Sequence, residues 1–219
     1  MPVSIAALTD SLGLPRGGSE ATPPRQTWPA LLRESVLVDD VTHVGIGGAT
    51  VTQLAGQLSY AIAAVPDLLV VQCGIVDCAP RALRQWERQA LQQVPGGRRV
   101  ARAIEKRAVL LRRWRDIAFT SPSTFRDTCR AIVARAGASM PLWVGIVDAG
   151  DEARVPGIRA RIRSYNGILR DTVGTGFVDV GDMPVDGVCA DHHHLTAAGH
   201  AFVATKLLER IAAHASPAR

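Results

Sequence analysis

Short apolar segments alternate along the chain with segments of helical periodicity, and this alternation constrains the fold most. The first apolar segment, Val3 to Leu8, ends at the turn-forming residues Thr9-Asp10-Ser11. Four more strands are predicted at residues 41–46, 67–72, 141–147 and 176–180. Helical spacing is found at 28–34, 51–64, 81–117 (broken near Pro95-Gly96-Gly97), 123–136 (capped by Ser123 or Thr124), 158–173 and 196–213. The pattern predicts an α/β fold, a three-layer α/β/α sandwich around a central parallel sheet of about five strands.

The length of 219 residues suits one well-buried core and is short for two, so we expect a single domain over residues 1–219. Apolar residues make up 47% and charged residues 21%, which is ordinary for a globular protein. No apolar run reaches the roughly 18 residues that a membrane-spanning helix needs. The start of the chain has no cationic residue and only a short apolar run before Asp10, which predicts no secretory signal and a cytoplasmic location.

The cysteines do not indicate a disulfide framework. There are four, at positions 73, 78, 129 and 189, which is few for a scaffold of this length. Their spacing matches no common zinc pattern. We therefore expect reduced and mostly buried thiols.

The net charge of +5 is carried almost wholly by arginine, since Lys106 and Lys206 are the two lysines. Between Arg81 and Arg115, eleven Arg or Lys residues accompany two glutamates, within the helical segment predicted at about 81–117. Such a segment is either a solvated helix face or a site for an anionic substrate or carrier. Nucleic acid is not expected as a partner, because the segment has few aromatic residues and no recognition motif.

Polar residues that carry chemistry fall where predicted strands end, which is where functional groups gather in parallel sheets. Four segments are involved: Thr9-Asp10-Ser11-Leu12, Gly47-Gly48-Ala49-Thr50, Gly74-Ile75-Val76-Asp77 and Asp191-His192-His193-His194-Leu195-Thr196.

A serine hydroxyl becomes an effective nucleophile when a base removes its proton, and a third group must hold that base in the right tautomer. Asp191 precedes His194 by three residues, so its carboxylate can turn back onto the imidazole. The other ring nitrogen is then free for Ser11. A structural alternative for Ser11 is a helix cap after the first strand.

The order and spacing of these motifs, from Asp10 to His194, resemble the GDSL or SGNH hydrolase superfamily. The resemblance implies a flavodoxin-like α/β/α sandwich and no cofactor. It also implies that Ser11 is the nucleophile and that Asp191 and His194 complete a catalytic triad. Leu195-Thr196 and Gly199-His200 follow as they usually do in this superfamily.

The resemblance further implies an oxyanion hole made of the serine amide, a glycine amide and an asparagine side chain. The glycine corresponds to Gly48, which also suits a tight turn. The asparagine position is held by Val76, which has no side-chain donor. Losing one such donor typically costs roughly a hundred- to a thousandfold in turnover.

Three explanations for Val76 remain open at the level of sequence. A neighbour, namely Gln72, Asp77 or Arg81, supplies a replacement group; the two amides suffice for an activated substrate; or the protein is a weak or inactive relative.

Other residues near the motifs receive simpler interpretations. Asp10 and Arg81 are predicted to contact the substrate, and Asp77 is predicted to be structural. His192 and His193 are expected to be exposed loop residues. No metal site is expected, because three consecutive histidines do not readily converge on one ion.

The function predicted from the sequence is that of an intracellular serine esterase or deacylase acting on an acyl ester of a small molecule or glycan. The first alternative is an acyltransferase that passes the acyl group from serine to a glycan or small metabolite. The second is a noncatalytic ligand-binding protein with the same fold. The sequence leaves the oligomeric state open.

Overall fold

At the centre of the structure, a computed structural model that describes residues 1–148 and 150–215, lies a sheet of five parallel strands. The strands are β1 (Val3–Thr9), β2 (Val38–Gly45), β3 (Leu68–Gln72), β4 (Met140–Val144) and β5 (Phe177–Val178). Their order across the sheet is β2-β1-β3-β4-β5, and every neighbouring pair is parallel. This confirms the predicted parallel sheet of about five strands.

Helices cover the sheet, and within the described residues there are ten. They are α1 (Trp28–Arg33), α2 (Val51–Ala55), α3 (Leu58–Ala61), α4 (Ile75–Cys78), α5 (Gln85–Gln93), α6 (Gly97–Lys106), α7 (Ala108–Arg115), α8 (Pro122–Arg135), α9 (Ile158–Val173) and α10 (Ala197–Ala215). Helices α2, α3, α8 and α9 pack on one face of the sheet, and α1 and α10 pack on the other. The three-layer α/β/α arrangement is therefore confirmed.

The two faces of β1 show how the sequence forms both apolar layers. Side chains of a strand alternate between faces. Ala6 and Leu8 pack in the cluster under α2, α3, α8 and α9, whereas Ile5 and Ala7 pack in the cluster under α1 and α10. All four side chains are buried, which explains why the strand reads as a continuous apolar run.

Several helix boundaries differ from the prediction for local reasons. The helix expected over residues 51–64 is divided into α2 and α3 around Gly56. Helix α8 is capped by Ser121 rather than by Ser123 or Thr124: the Ser121 hydroxyl accepts the Thr124 amide at 3.1 Å, and Pro122 occupies the first helical position.

The arginine-rich segment forms α5, α6 and α7, with breaks near Gly96 and at Arg107. Its two ends meet, because the Arg81 amide donates to the Ile117 carbonyl at 2.7 Å. Within it, Arg115 pairs with Glu87 at 2.6 Å. The segment thus leaves the sheet after β3 and returns close to its starting point.

All four cysteines are buried and free, as predicted. No helix in the described part of the chain is both long and apolar enough to cross a bilayer.

The strand order changes direction at β1, which has β2 on one side and β3 on the other. In open parallel sheets the loops at such a point diverge and leave a crevice at the carboxyl ends of the strands. Ser11 follows β1 directly, and Gly74 to Asp77 follow β3. The fold therefore brings the first and third motifs to this crevice.

Candidate active site

Ser11 begins a single 3-10 turn, Ser11–Gly13, immediately after β1. Asp10 caps this turn, because its carboxylate accepts the Leu12 amide at 2.9 Å. The capping role considered for Ser11 therefore belongs to Asp10, and the Ser11 hydroxyl is left to face the crevice.

Asp10 is fully buried, and its second carboxylate oxygen has no hydrogen-bond partner among the described residues. Burial raises the pKa of Asp10 to about 7, and the nearby charge of Asp77 acts in the same direction. A side chain with no exposed surface cannot contact a substrate. The prediction that Asp10 binds substrate is therefore wrong, and the residue instead fixes the turn that carries Ser11.

His194 lies on the loop before α10, next to Ser11. Its Nε2 is 3.2 Å from the Ser11 hydroxyl oxygen, and its Nδ1 is 2.8 Å from a carboxylate oxygen of Asp191. A carboxylate only accepts, so Nδ1 carries the proton that it donates to Asp191. In the neutral ring Nε2 is then the acceptor for the Ser11 hydroxyl. The two ends of the chain thus form one hydrogen-bonded series.

Backbone hydrogen bonds hold the Asp191–His194 loop in place. The other carboxylate oxygen of Asp191 accepts the amides of His193 at 3.2 Å and His194 at 3.0 Å. The Cys189 amide donates to the His194 carbonyl at 2.8 Å. These bonds to the charged carboxylate outweigh its partial burial, so the pKa of Asp191 lies well below its usual range. Asp191 is therefore ionised at any pH at which the protein would work.

Arg16, which the sequence did not single out, adds a further contact to this loop. Its guanidinium lies 2.5 Å from the Asp191 oxygen that also accepts from His194. The hydrogen bond to Asp191 raises the pKa of Arg16. Nothing in the spacing of residues 16 and 191 signals this pair, since it depends on how the loop after Ser11 returns to the sheet.

Gly48 lies on the exposed loop after β2 with a φ of +71°, a conformation that suits glycine. Within the described residues, neither its amide nor that of Ser11 donates to another protein group. Both residues line the cleft beside the Ser11 hydroxyl, which is described below. Two backbone N–H groups are thus available beside the Ser11 hydroxyl, and the positive φ also agrees with the tight-turn interpretation of Gly48.

Val76 lies in α4 and also lines the cleft. Of its possible substitutes, Gln72 accepts the indole N–H of Trp28 at 2.5 Å in the core. Asp77 is buried and accepts the Val51 amide and the Thr120 hydroxyl, as expected of a structural residue. Burial raises the pKa of Asp77 to about 6.

Arg81 is the third neighbour proposed to replace the missing asparagine, and it lines the cleft. Its guanidinium donates to the Val76 carbonyl at 3.2 Å and stacks on the Phe119 ring with 4.5 Å to the ring centre. Neither Gln72 nor Asp77 reaches the cleft wall. Arg81 is thus the one of the three neighbours that is placed to act on a bound molecule.

The cleft beside Ser11 has a volume of about 610 Å³, which falls within the range of small-molecule sites. It is lined by Ser11, Gly47, Gly48, Ile75, Val76, Ala79, Arg81, Arg88, Arg112, Phe119, Gly150, Asp151, Arg154, Val155, Ile158, Asp191, His192, His193 and His194. Apolar side chains and arginines form the walls, and the Ser11–His194 pair lies among them.

The three consecutive histidines do not behave alike. His192 is exposed as predicted, with a φ of +64°. His193 is half-buried rather than exposed, since its Nδ1 lies 2.8 Å from the Asp191 carbonyl oxygen. Burial is the main cause of its lowered pKa.

Asp191, His193 and His194 together offer ligand atoms within 4.8 Å of one another, so these residues have the donor types that a metal ion needs. The Nδ1 atoms of His193 and His194 already take part in the hydrogen bonds described above.

Comparison with known proteins gives a family and a set of structural neighbours. The model of the GDSL-like Lipase/Acylhydrolase family matches residues 7–202. A search among curated proteins finds no match.

Solved structures that resemble the chain include a lipase/acylhydrolase from Enterococcus faecalis, at 15% identity over 100% of both chains with a TM-score of 0.67. Phospholipase A1 from Streptomyces albidoflavus NA297 is 13% identical over 96% of this chain and 99% of its own, with a TM-score of 0.62. A family 3 carbohydrate esterase from Clostridium thermocellum is 16% identical over 99% and 100%, with a TM-score of 0.61. At these identities the structures establish the fold.

Proposed function

This chain belongs to the GDSL-like lipase/acylhydrolase family, which supports ester hydrolysis as its chemistry, and we propose that Ser11 carries the reaction through an acyl-serine intermediate. The observation that carries the proposal is the hydrogen-bonded series from Ser11 through His194 to Asp191, at the carboxyl end of the sheet. This arrangement supplies a nucleophile, a base and the group that holds the base in its tautomer.

In the first half of the reaction, the Ser11 hydroxyl oxygen attacks the ester carbonyl carbon while His194 Nε2 accepts its proton. The negative charge that develops on the carbonyl oxygen is stabilised by the backbone amides of Ser11 and Gly48. The bond to the alcohol oxygen then breaks, and His194 returns the proton to the leaving alcohol. Asp191 stabilises the imidazolium that exists between these two transfers.

In the second half, a water molecule attacks the acyl-serine carbonyl carbon, and His194 accepts the proton of that water. The bond to Ser11 breaks, the serine recovers its proton from His194, and the carboxylic acid leaves. No cofactor takes part in this scheme.

The substrate is proposed as the acyl ester of a small molecule or glycan. The structural neighbours include a phospholipase and a carbohydrate esterase, so they do not narrow the identity of the acyl group or the alcohol. A panel of neutral esters with short and long acyl chains is therefore the appropriate assay.

The test is intact-mass spectrometry after rapid mixing with this panel, together with analysis of the products. We expect a transient mass increase equal to one acyl group, and free acid as the product. Ser11→Ala should give neither. Full ester turnover by Ser11→Ala would contradict the mechanism, and an acyl product on an added alcohol in place of free acid would indicate transfer instead.

A further inference from the structure

The walls of the cleft beside Ser11 contain an unusual number of arginines. Four of them line it, and we call these the cleft arginines: Arg81, Arg88, Arg112 and Arg154. Two carboxylates, those of Asp151 and Asp191, line the same cleft. Arginines therefore outnumber carboxylates on the walls of this cleft.

The cleft arginines differ from other arginines of the protein in lacking carboxylate partners. Arg115, Arg161 and Arg170 each lie within 3.0 Å of an acidic side chain. In the described part of the chain, none of the cleft arginines has a carboxylate oxygen within 4.0 Å. Among the described residues, no acidic side chain is therefore paired with their charges.

The two acidic residues of the cleft are already engaged. Asp191 accepts from Arg16 and His194. Asp151 accepts the amides of Ala153 and Arg154 through one oxygen. Its other oxygen lies 3.9 Å from His192. Neither carboxylate neutralises the cleft arginines.

The guanidiniums of Arg81 and Arg112 are held in place but retain unused donors. Arg81 stacks on Phe119 and donates once, to the Val76 carbonyl. Arg112 donates once, to the Arg154 carbonyl at 2.7 Å. The Nε of each is buried without an acceptor in the described structure. A guanidinium has five N–H donors, so each side chain can still bind an anion.

The cleft arginines also repel one another. Burial is the main cause of the lowered pKa of Arg81, and the charges of Arg112 and Arg88 lower it further. Burial likewise lowers the pKa of Arg112, and Arg154 adds to this. A bound anion would relieve this repulsion in a partly desolvated place, where charge interactions are screened less than at the surface.

A second cavity of about 800 Å³ continues from the first and shares Arg81, Arg88 and Arg112 with it. It adds Arg98 and Arg102, with Glu105 as its acidic residue. The positive surface therefore extends from the cleft beside Ser11 along α5, α6 and α7.

From these contacts we propose that the cleft arginines form a phosphate-binding subsite, so that the ester cleaved at Ser11 carries a phosphate group on its alcohol or acyl part. Three or four guanidiniums offer more charge and more donors than one carboxylate can use. A phosphate has the matching double charge and three acceptor oxygens, and arginine binds it with paired hydrogen bonds. This inference rests on the proposed function for its catalytic part, whereas the binding of phosphate does not depend on turnover.

The first experiment measures binding alone, by titrating inorganic phosphate into Ser11→Ala protein at low ionic strength in a calorimeter. We expect saturable binding that weakens by roughly tenfold or more in the additional variant Arg112→Gln, since hydrogen bonds to charged groups are worth more than neutral ones. Arg113 is the matched control, because it is an exposed arginine on the same helix that lines neither cavity. Absence of saturable binding, or equal weakening by Arg113→Gln, would overturn the subsite.

The second experiment compares matched esters that differ in a charged phosphorus group. One pair is butyrylglycerol with and without a 3-phosphate, and the other is 4-nitrophenyl butyrate with 4-nitrophenyl 3-phosphonopropionate. We expect kcat/KM to be higher by about tenfold or more for the charged member of one pair. Arg112→Gln should reduce that ratio towards one, and Arg113→Gln should retain it.

The outcomes separate this inference from the proposed function. Turnover of neutral esters without preference for either charged member would overturn the phosphate-bearing substrate while the hydrolase mechanism stands. Phosphate binding by Ser11→Ala without acyl transfer to Ser11 in the wild-type protein from any ester would uphold the subsite as an anion site and contradict the mechanism.

Discussion

The guanidinium of Arg16 lies 2.5 Å from a carboxylate oxygen of Asp191, and that oxygen also accepts the Nδ1–H of His194. Two positively polarised groups thus share one acceptor. Arg16 therefore helps to fix the carboxylate that accepts from His194.

We therefore expect Arg16→Gln to lower kcat, because Asp191 loses one of the two donors that share its oxygen and holds the His194 imidazole less firmly. Partly exposed ion pairs are worth up to about 1 kcal/mol, so the loss in kcat should be no more than about fivefold. Arg25→Gln, which removes an exposed arginine from the same loop region, is the control. A steady-state kcat of Arg16→Gln equal to that of Arg25→Gln would show that the pair does not influence the base.

Val76→Asn should increase turnover of a neutral ester. The asparagine side chain would add an N–H donor to the wall of the cleft where Val76 now lies. Oxyanion-hole donors are worth roughly a hundredfold or more where they are well placed, so even an imperfectly placed one should give about tenfold. Val76→Leu is the control, since it changes size without adding a donor. We expect a higher kcat for Val76→Asn in steady-state assays, and a value no greater than that of Val76→Leu would count against an oxyanion site at this position.

Gly48→Ala should lower kcat more than Gly47→Ala. Gly48 has a φ of +71°, at which an L-residue is strained by about 1 kcal/mol, so the backbone should shift and move the amide. At Gly47 an added Cβ would meet only Leu14, at 3.9 Å. We expect the kcat of Gly48→Ala to be lower than that of Gly47→Ala by about fivefold or more. Equal kcat values for the two variants would show that the Gly48 amide does not contribute to catalysis.

Asp10→Asn should change how stability depends on pH. The folded-state pKa of Asp10 is raised to about 7 from the ordinary 3.8, so folding favours its protonated form. That contribution to stability is present below about pH 4 and is lost as the pH rises through 7. Relative to Asp10→Asn, the wild-type protein should therefore lose stability between pH 4 and 7, by at most about 1.4 kcal/mol per pH unit.

Chemical denaturation across this range measures the effect. The wild-type protein must be compared with Asp10→Asn because burial also lowers the pKa of His200 to about 4. This shift makes the free energy of unfolding rise with pH in both proteins, opposite to the effect of Asp10. Asp39→Asn changes an exposed residue of β2, and its free energy of unfolding should vary with pH as that of the wild-type protein does. If the free energies of unfolding of Asp10→Asn and the wild-type protein changed in parallel with pH, the raised pKa of Asp10 would be refuted.

The sequence predicted the layers, the strands and the convergence of Ser11 with His194, because apolar periodicity and strand ends report directly on sheet topology. It did not predict the role of Asp10, since an acidic residue beside a nucleophile looks the same in sequence whether it faces the cleft or the core. Burial decides that, and burial at Asp10 depends on packing around β1 and β3. In the structure the Asp10 carboxylate caps the turn and does not line the cleft.

Contacts between distant loops could not be predicted from the sequence either. The pairing of Arg16 with Asp191 and the stacking of Arg81 on Phe119 depend on loop paths that no periodicity encodes. The sequence alone does not decide whether the arginine-rich segment is a solvated face or an anion site. In the structure, Arg88 and Arg112 of this segment line the cleft of Ser11, which no sequence pattern predicts.

Labelling by a fluorophosphonate, followed by intact-mass and peptide analysis, is the decisive test of Ser11 as the nucleophile, because this probe reacts with an activated serine hydroxyl. We expect one adduct per chain on Ser11, no adduct in Ser11→Ala, and labelling slowed by roughly a hundredfold or more in His194→Ala, from which the base is missing. An adduct on a different residue, or labelling of His194→Ala at the wild-type rate, would contradict it.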